Sequence, residues 1–281
     1  MQLIDFNAIS IAAIMATKDN NEEFHRHIIL NGLRLHNVKN REKYGDMVIC
    51  CDSKSWRRDL FPQYKANRNK ESTPKEAEFW SSVFSTISNT LDDLREHFHY
   101  RVVKVDGCEA DDIIGTLVEQ TQEFGHFEEV MIISGDKDFA QLQKYDNVNQ
   151  YSPVQKKFIK EKNPRSFLME HIIKGDVSDG IPNILSDDNC FVESRRQTPL
   201  RSKKKQEILD AIINDNMCEE LKRNYMRNKK LIDLDEIPST LKQDIINTYE
   251  DQDNFNNKGK ILPYLISRRH NMLIESVQDF F

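Results

Sequence analysis

Residues 130–138 read Val130-Met131-Ile132-Ile133-Ser134-Gly135-Asp136-Lys137-Asp138, an unbroken apolar run followed almost at once by two aspartates. A strand with one exposed face alternates apolar and polar residues, whereas a strand covered on both faces is apolar throughout. The run therefore predicts a buried strand of a parallel sheet. Asp136 and Asp138 stand just beyond the end of that strand.

Three earlier segments have the same character. A short apolar run surrounds Asp5, a second over 47–52 ends in Asp52, and a third covers 102–105. Apolar residues at helical spacing occupy the intervals between these runs. Strand alternating with helix predicts an α/β fold with a mostly parallel central sheet flanked by helices.

After about residue 160 the strand pattern ends and helical patterns continue. We predict an α/β domain over residues 1–160 and a helical C-terminal domain over residues 161–281. The helices predicted along the chain cover 22–39, 74–98, 109–124, 164–174, 203–214, 218–229 and 239–250.

Composition bounds the class of protein. The chain has 281 residues, of which 38% are hydrophobic and 31% charged, as in a soluble globular protein. No apolar run approaches the roughly 20 residues that a membrane helix needs, and the start MQLIDF lacks the features of a signal peptide. The five cysteines show no CxxC spacing and are read as free thiols. We therefore expect a cytoplasmic protein with no membrane contact, and a monomer.

Positive charge is gathered in three runs, although the net charge is −6. The runs are 57–70, 156–165 and 195–205, and the last holds six basic residues and no acid. Any single run is compatible with an ordinary solvated face. Three of them on an acidic chain indicate a surface that follows nucleic-acid phosphates.

Carboxylates gather where ligands bind in an open parallel sheet, beyond the carboxyl ends of the strands. One aspartate alone is often a helix cap or a turn residue. A larger group raises the pKa of its members unless cations neutralise it, and hard oxygen ligands select Mg²⁺, with Mn²⁺ as a substitute. Two such ions suit phosphodiester hydrolysis. The candidates are Asp5, Asp52, Glu109, Asp111, Asp112, Asp136, Asp138, Asp176 and Asp179.

Helix register ranks the three acids at the start of helix 109–124. Glu109 and Asp111 align with the apolar residues of the core-facing side, which predicts them as metal ligands. Asp112 aligns with Thr116 and Glu119 and is assigned to the outer side. It is the weaker candidate, either supporting the ligands or capping the helix.

Five motifs together resemble the flap endonuclease (5′ nuclease) superfamily, and within it the phage ribonucleases H, which are 5′-to-3′ exonucleases. They span nearly the whole chain in the order of the family, which implies its PIN-like fold. The motifs are Leu3–Phe6 (LIDF), 56–68 (WRRDLFPQYKANR), 109–112 (EADD), 133–139 (ISGDKDF) and 175–182 (GDVSDGIP).

The resemblance implies two metal sites. Asp5, Asp52, Asp111 and Asp136 match the ligands of the first site. Glu109, Asp138, Asp176 and Asp179 match groups around the second.

The resemblance also implies roles for basic and aromatic residues. Lys65 and Arg68 match a basic pair that holds the scissile phosphate, and residues 66–80 match an arch over single-stranded 5′ ends. Tyr64 matches an aromatic residue that stacks on a base, with simple packing as the alternative. The turn that binds duplex backbone in cellular relatives is missing after Pro182. The predicted duplex contacts are therefore Arg195, Arg196, Arg201, Lys203, Lys204 and Lys205. Arg57 and Arg58 are further predicted nucleic-acid contacts.

The expected reaction is hydrolysis of phosphodiesters at 5′ ends of RNA primers or DNA. The expected substrates are branched or nicked duplex DNA and RNA–DNA hybrid, and a sliding clamp or single-strand-binding protein is a candidate partner. Phe280-Phe281 could dock on such a clamp or pack on the chain itself. Two alternatives remain: a non-catalytic nucleic-acid-binding protein with this fold, and a phosphatase with an aspartyl intermediate, which would need an aspartate where Asn7 stands.

Overall fold

The computed structural model describes residues 1–17, 21–68, 73–252 and 257–281, except for the side chain of Asn67. The described residues form two compact units. Unit 1 comprises Met1–Lys54, Ser72–Lys160 and Ser239–Phe281, and unit 2 comprises Ser55–Glu71 and Glu161–Pro238. In this division residues 55–71 belong with 161–238, and residues 239–281 belong with the segments that contain the sheet.

Unit 1 is built on a six-stranded sheet in the order β3-β2-β1-β4-β5-β6, in which only the β5–β6 pair is antiparallel. Residues of β1, β2 and β4 are all buried, as their apolar runs predict. The strands are β1 Gln2–Asp5, β2 Met47–Cys50, β3 Arg101–Val103, β4 Val130–Ile133, β5 Val148–Ser152 and β6 Lys157–Ile159.

The strand order has a functional consequence. The chain moves outward from β1 through β2 to β3 and then returns to pair β4 with the other side of β1. This reversal is a topological switch point, beside which the loops after β1 and β4 diverge and leave a crevice. Asp5 ends β1 and Asp136 follows β4, so both stand at the crevice.

The helices of unit 1 cover the sheet and complete its core. Phe280 is fully buried, and its ring meets that of Phe98 edge to face at 5.4 Å. Phe280 therefore packs on the chain itself, the second of the two alternatives, and its side chain has no exposed surface for a partner to contact. The helices are α1 Phe6–Met15, α2 Glu22–Tyr44, α4 Pro74–His97, α5 Ala110–Gln120, α9 Ser239–Glu250, α10 Ile261–Ser267 and α11 Asn271–Ile274.

Unit 2 is helical and has its own apolar clusters. One cluster joins Phe61 and Tyr64 to Ile172, Ile181 and Leu231, and a second surrounds Ile173 and Ile208. Its helices are α3 Arg57–Leu60, α6 Pro164–Lys174, α7 Ser202–Ile213 and α8 Glu219–Ile232.

The predicted arch near 66–80 is only partly described. Residues 69–72 lie outside the described residues, and residues 74–80 are the first turns of α4. Thr73 caps that helix in a capping box with Glu76. No described helix of the chain is long and apolar enough to cross a membrane.

Candidate active site

Unit 1 places Asp5 at the centre of the predicted carboxylate group. Asp5 is 5% exposed, and it accepts hydrogen bonds from the Ser134 hydroxyl (2.7 Å) and the Ala8 amide (3.3 Å). Burial, and after it the negative charges of Asp52 and Asp136, raise the pKa of Asp5 to about 7, although those two hydrogen bonds lower it. Asp52 and Asp136 therefore both lie close enough to Asp5 to repel its negative charge.

The other acids of unit 1 join this edge through backbone contacts. The Asp52 carboxylate accepts a hydrogen bond from the Ala110 amide at 2.8 Å, which ties the end of β2 to the start of α5, where Glu109 and Asp111 stand. The Asp138 amide donates to the Asp136 carboxylate at 2.9 Å. Unit 1 thus brings six of the predicted ligands to one sheet edge: Asp5, Asp52, Glu109, Asp111, Asp136 and Asp138.

These residues fit a hard divalent cation. The donors they offer are carboxylate oxygens, the ligand type that such ions prefer. A positive ion would offset both the cost of burying the charged Asp5 carboxylate and its repulsion by Asp52 and Asp136, which together raise its pKa.

Asp112 does not lie on an outer side, which corrects the register argument. It is fully buried, and its carboxylate accepts a hydrogen bond from the Glu109 amide at 2.9 Å, so it caps α5. The face that the sequence assigned to solvent is covered by α9, from which Lys242 bonds Glu119. A single-helix pattern cannot show that a helix distant in sequence packs there.

Unit 2 gathers the predicted basic pair around Asp179. The Arg68 guanidinium donates to one Asp179 oxygen at 2.6 Å, and the Lys65 ammonium lies 3.6 Å from the other. The Tyr64 hydroxyl donates to that second oxygen at 3.1 Å. The Tyr64 ring is 3% exposed within an apolar cluster, which is the packing alternative that the sequence left open.

The loop that carries Asp179 is closed by Asp176. Asp176 and Ile181 exchange backbone hydrogen bonds at 2.8 and 2.7 Å, and the Asp176 carboxylate accepts from the Ser178 amide at 2.8 Å. His171, which the sequence analysis missed, places its Nε2 3.5 Å from the Asp176 carboxylate. Its signal was weak, because a lone histidine within an amphipathic helix is usually a packing residue.

Gly175 makes this loop possible and supplies a test. It has φ +67°, and a Cβ there would lie 2.4 Å from the Ile181 carbonyl oxygen and 2.6 Å from the Pro182 carbonyl. Gly175→Ala is therefore expected to lower the free energy of unfolding by about 2–3 kcal/mol, since neither backbone group can easily move. Thermal unfolding should show a melting temperature lower by several degrees.

The matched control is Gly259→Ala. A Cβ at Gly259 meets no described atom within 4 Å, and Gly259 has no positive φ. Equal melting temperatures for the two variants would contradict the steric argument for Gly175.

Unit 1 contains two further supporting residues that the sequence analysis missed. Ser134 donates to Asp5 and accepts from the Asp136 amide at 3.1 Å, so it links the ends of β1 and β4. The Gln150 side-chain amide donates to the carbonyls of Asp136 (2.6 Å) and Ser134 (3.2 Å). A buried glutamine within a strand was the available signal.

The predicted nucleic-acid residues differ in their surroundings. Arg57 is buried and donates to the Leu231 carbonyl at 2.8 Å, whereas Arg58 is exposed. Arg195 pairs with Asp187 and Glu193, Lys204 with Glu207, and Lys205 with Glu170. Within the described ranges, Arg196, Arg201 and Lys203 are exposed and have no acidic partner.

Comparisons with known proteins agree with this architecture. Residues 2–170 match the family model for the 5′-3′ exonuclease N-terminal resolvase-like domain, and residues 163–280 match the T4 RNase H C-terminal model. The chain is 34% identical to the ribonuclease H of Enterobacteria phage T4 over 99% of its own length and 95% of that protein.

Solved structures show the same fold. The 5′-exonuclease of phage T5 with bound zinc has a TM-score of 0.65 at 17% identity, over 91% of this chain and 98% of that one. The T5 flap endonuclease in a pseudo-enzyme–product complex with DNA and metal ions has a TM-score of 0.63 at 18% identity, over 89% and 98%. With both family models matched in order, the chain belongs to the 5′-3′ exonuclease family and is a metal-dependent 5′-3′ nuclease.

Proposed function

We propose that this nuclease removes RNA primers and short DNA flaps from 5′ ends, in Mg²⁺, at nicked or branched duplex and RNA–DNA hybrid. The observation that carries the proposal is the cluster of Asp5, Asp52 and Asp136 at the ends of neighbouring parallel strands, in which burial and then the neighbouring carboxylates raise the pKa of Asp5. The proposed place of action is the cytoplasm of a phage-infected bacterium. A sliding clamp or a single-strand-binding protein is a proposed partner.

The carboxylates are proposed to form two metal sites. Asp5, Asp52, Asp111 and Asp136 are proposed to hold the first ion. Glu109, Asp138, Asp176 and Asp179 are proposed around the second. When bound, such ions activate water for attack on the phosphodiester and stabilise the charge of the leaving oxygen.

Lys65 and Arg68 are proposed to hold the scissile phosphate and offset the charge that develops on it. The contacts of Asp179 support this role, because they fix both side chains and leave Arg68 54% exposed. Tyr64 contributes by bonding the same carboxylate.

The test compares matched substrates. RNA–DNA and DNA–DNA duplexes, each nicked or carrying a 5′ flap, are incubated with the full chain in Mg²⁺ and in EDTA, and the products are sized. Metal-dependent shortening from the 5′ end supports the proposal. Binding without cleavage would instead favour a nucleic-acid-binding protein, and release of phosphate from a monoester would favour a phosphatase.

Asp111 and Asp112 are expected to respond differently to the same substitution. Asp111→Asn should lower kcat by about 10²-fold or more, since it removes a proposed ligand. Asp112→Asn should lower kcat less than about tenfold and instead cost about 1 kcal/mol of stability, because Asp112 caps α5. Single-turnover cleavage and thermal unfolding of both variants measure the two effects, and equal losses of kcat would contradict the assignment.

Duplex binding is expected to depend most on the exposed basic residues of unit 2 that have no acidic partner within the described ranges, which are Arg196, Arg201 and Lys203. Each phosphate contact contributes about 0.9 to the slope of log affinity against log salt concentration. Replacing both Arg201 and Lys203 with Gln should therefore reduce that slope by about 2. Arg195→Gln should change it less, because Arg195 is already paired with Glu193 at 2.8 Å. Salt titrations of duplex binding give this slope for the wild type, the double variant and Arg195→Gln. A change in slope for Arg195→Gln that equals or exceeds that of the double variant would contradict the prediction.

A further inference from the structure

A groove of about 910 Å³ runs along α1 in unit 1. This volume is near the top of the usual range for ligand sites, about 300–1,000 Å³. Its lining comes from α1, α2, the loop after β4 and the turn between β5 and β6. Small and apolar residues form much of the lining, among them Ala8, Ala12, Ala16, Gly32, Pro153 and Val154.

The groove opens directly onto the carboxylate cluster. Ser134 and Asp136 are among its lining residues, and the Ser134 hydroxyl donates a hydrogen bond to Asp5. A molecule lying against α1 would therefore lie next to Asp136, a proposed metal ligand.

The charge of the lining favours an anionic ligand. Lys137 and Lys156 both line the groove, and among its described lining residues Asp136 alone is acidic. Asp136 is itself a proposed metal ligand, so a bound cation would offset its charge. Lys156 belongs to the basic run 156–165, for which the proposed chemistry gives no role.

Aromatic rings on the β5–β6 hairpin lie next to a residue that lines the groove. His36 lines the groove, and its ring meets Tyr151 edge to face at 6.1 Å. Tyr151 in turn meets Phe158 at 5.4 Å, and Phe158 is 48% exposed. The Lys39 ammonium lies 4.1 Å from the centre of the Tyr151 ring. Rings interleaved with lysines are how proteins hold unpaired bases and their phosphates.

We propose that this groove binds unpaired nucleotides of the substrate, with Lys137 and Lys156 contacting phosphates and the apolar wall of α1 contacting sugars and bases. The ten residues of α1 extend about 15 Å, the length of about four stacked nucleotides. A docked peptide would need only the apolar wall, whereas the lysines and the opening onto the carboxylates favour a nucleic-acid strand. The inference rests on the proposed function, because it names where that reaction holds single-stranded substrate.

The experiment measures KM in Mg²⁺ for three duplex substrates with the full chain. One is nicked, one carries about four unpaired nucleotides at the 5′ side of the nick, and one carries about four at the 3′ side. The variants are Ala12→Trp, which fills the groove, and Lys156→Glu, which reverses the charge of an exposed side chain. Their controls are Ala12→Ser and Lys258→Glu, the latter an exposed lysine outside the groove.

Both variants should raise KM for at least one unpaired substrate, relative to the nicked one, by about tenfold, and neither control should do so. The substrate whose KM rises, with unpaired nucleotides at the 5′ or at the 3′ side, identifies which unpaired end lies in the groove. Suppose that both variants cleave the nicked duplex and keep the wild-type ratio of KM for the unpaired substrate to KM for the nicked one, with the unpaired nucleotides at either side. The groove assignment would then be overturned and the proposed function would stand. If Ala12→Trp fails to fold, Lys156→Glu decides alone. A wild-type chain that cleaves none of the three substrates would overturn the proposed function itself.

Discussion

Asp136→Asn is expected to lower kcat for phosphodiester cleavage by about 10²–10³-fold, or about 3–4 kcal/mol of transition-state stabilisation. Asp136 is exposed at the switch point beside Asp5, and it is a proposed ligand of the first ion. The asparagine keeps the shape and can still accept the Asp138 amide, so the fold should survive. What disappears is the negative charge that would hold the cation.

Single-turnover cleavage in Mg²⁺ measures the effect, and titration with Mn²⁺ followed by calorimetry measures the loss of metal affinity. Asp146→Asn is the matched control, because Asp146 is an exposed aspartate of unit 1 outside the carboxylate cluster. Wild-type cleavage by the Asp136 variant would refute both the ligand assignment and the proposed reaction.

Asp5→Asn is expected to abolish cleavage and yet stabilise the metal-free protein. The pKa of Asp5 is raised from 3.8 to about 7, chiefly by burial and then by Asp52. A carboxyl group with a raised folded-state pKa penalises the fold once it ionises, so stability falls as pH rises from about 4 to about 7. A pKa difference of about 3 corresponds to a loss of about 4 kcal/mol in the free energy of unfolding at pH 8. An uncharged asparagine avoids most of this loss.

Thermal unfolding in EDTA across pH 4 to 8 tests this. At pH 8 the variant should melt about 8 °C above the wild type, and near pH 4 the difference should largely vanish. Mg²⁺ should raise the melting temperature of the wild type more than that of the variant. Asp146→Asn should follow the wild-type curve. An Asp5→Asn variant that melts lower than the wild type at pH 8 would contradict the argument that the ionised, buried Asp5 carboxylate destabilises the metal-free fold.

The sequence predicted the parallel sheet well because its central strands carry their own signal. The runs around Asp5, 47–52 and 130–134 are apolar throughout, and the structure places all three in the sheet. The last two strands were missed for a physical reason. β5 contains Asn149 and Gln150, and β6 is part of a basic run at the edge, so pairing with a neighbour rather than composition makes them strands.

The predicted ends of two helices agree with the structure. The predictions 164–174 and 239–250 agree with α6 and α9. The sequence analysis missed α1, which begins directly at the end of β1. Its cap is the carboxylate of Asp5, a residue that the sequence analysis placed in the first strand as a metal ligand.

The sequence by itself determined which residues could be ligands, because carboxylates at strand ends of a parallel sheet converge wherever the strands lie side by side. Only the tertiary structure decided how each one is used. Asp112 became a buried cap because α9 covers its side of α5, and Asp179 became the acceptor for Tyr64, Lys65 and Arg68. The chain likewise does not show in its order that α1, α2 and a distant hairpin enclose a groove at the carboxylates. A pattern read along one element records its own periodicity, whereas burial and hydrogen-bond partners depend on elements that the fold brings from elsewhere in the chain.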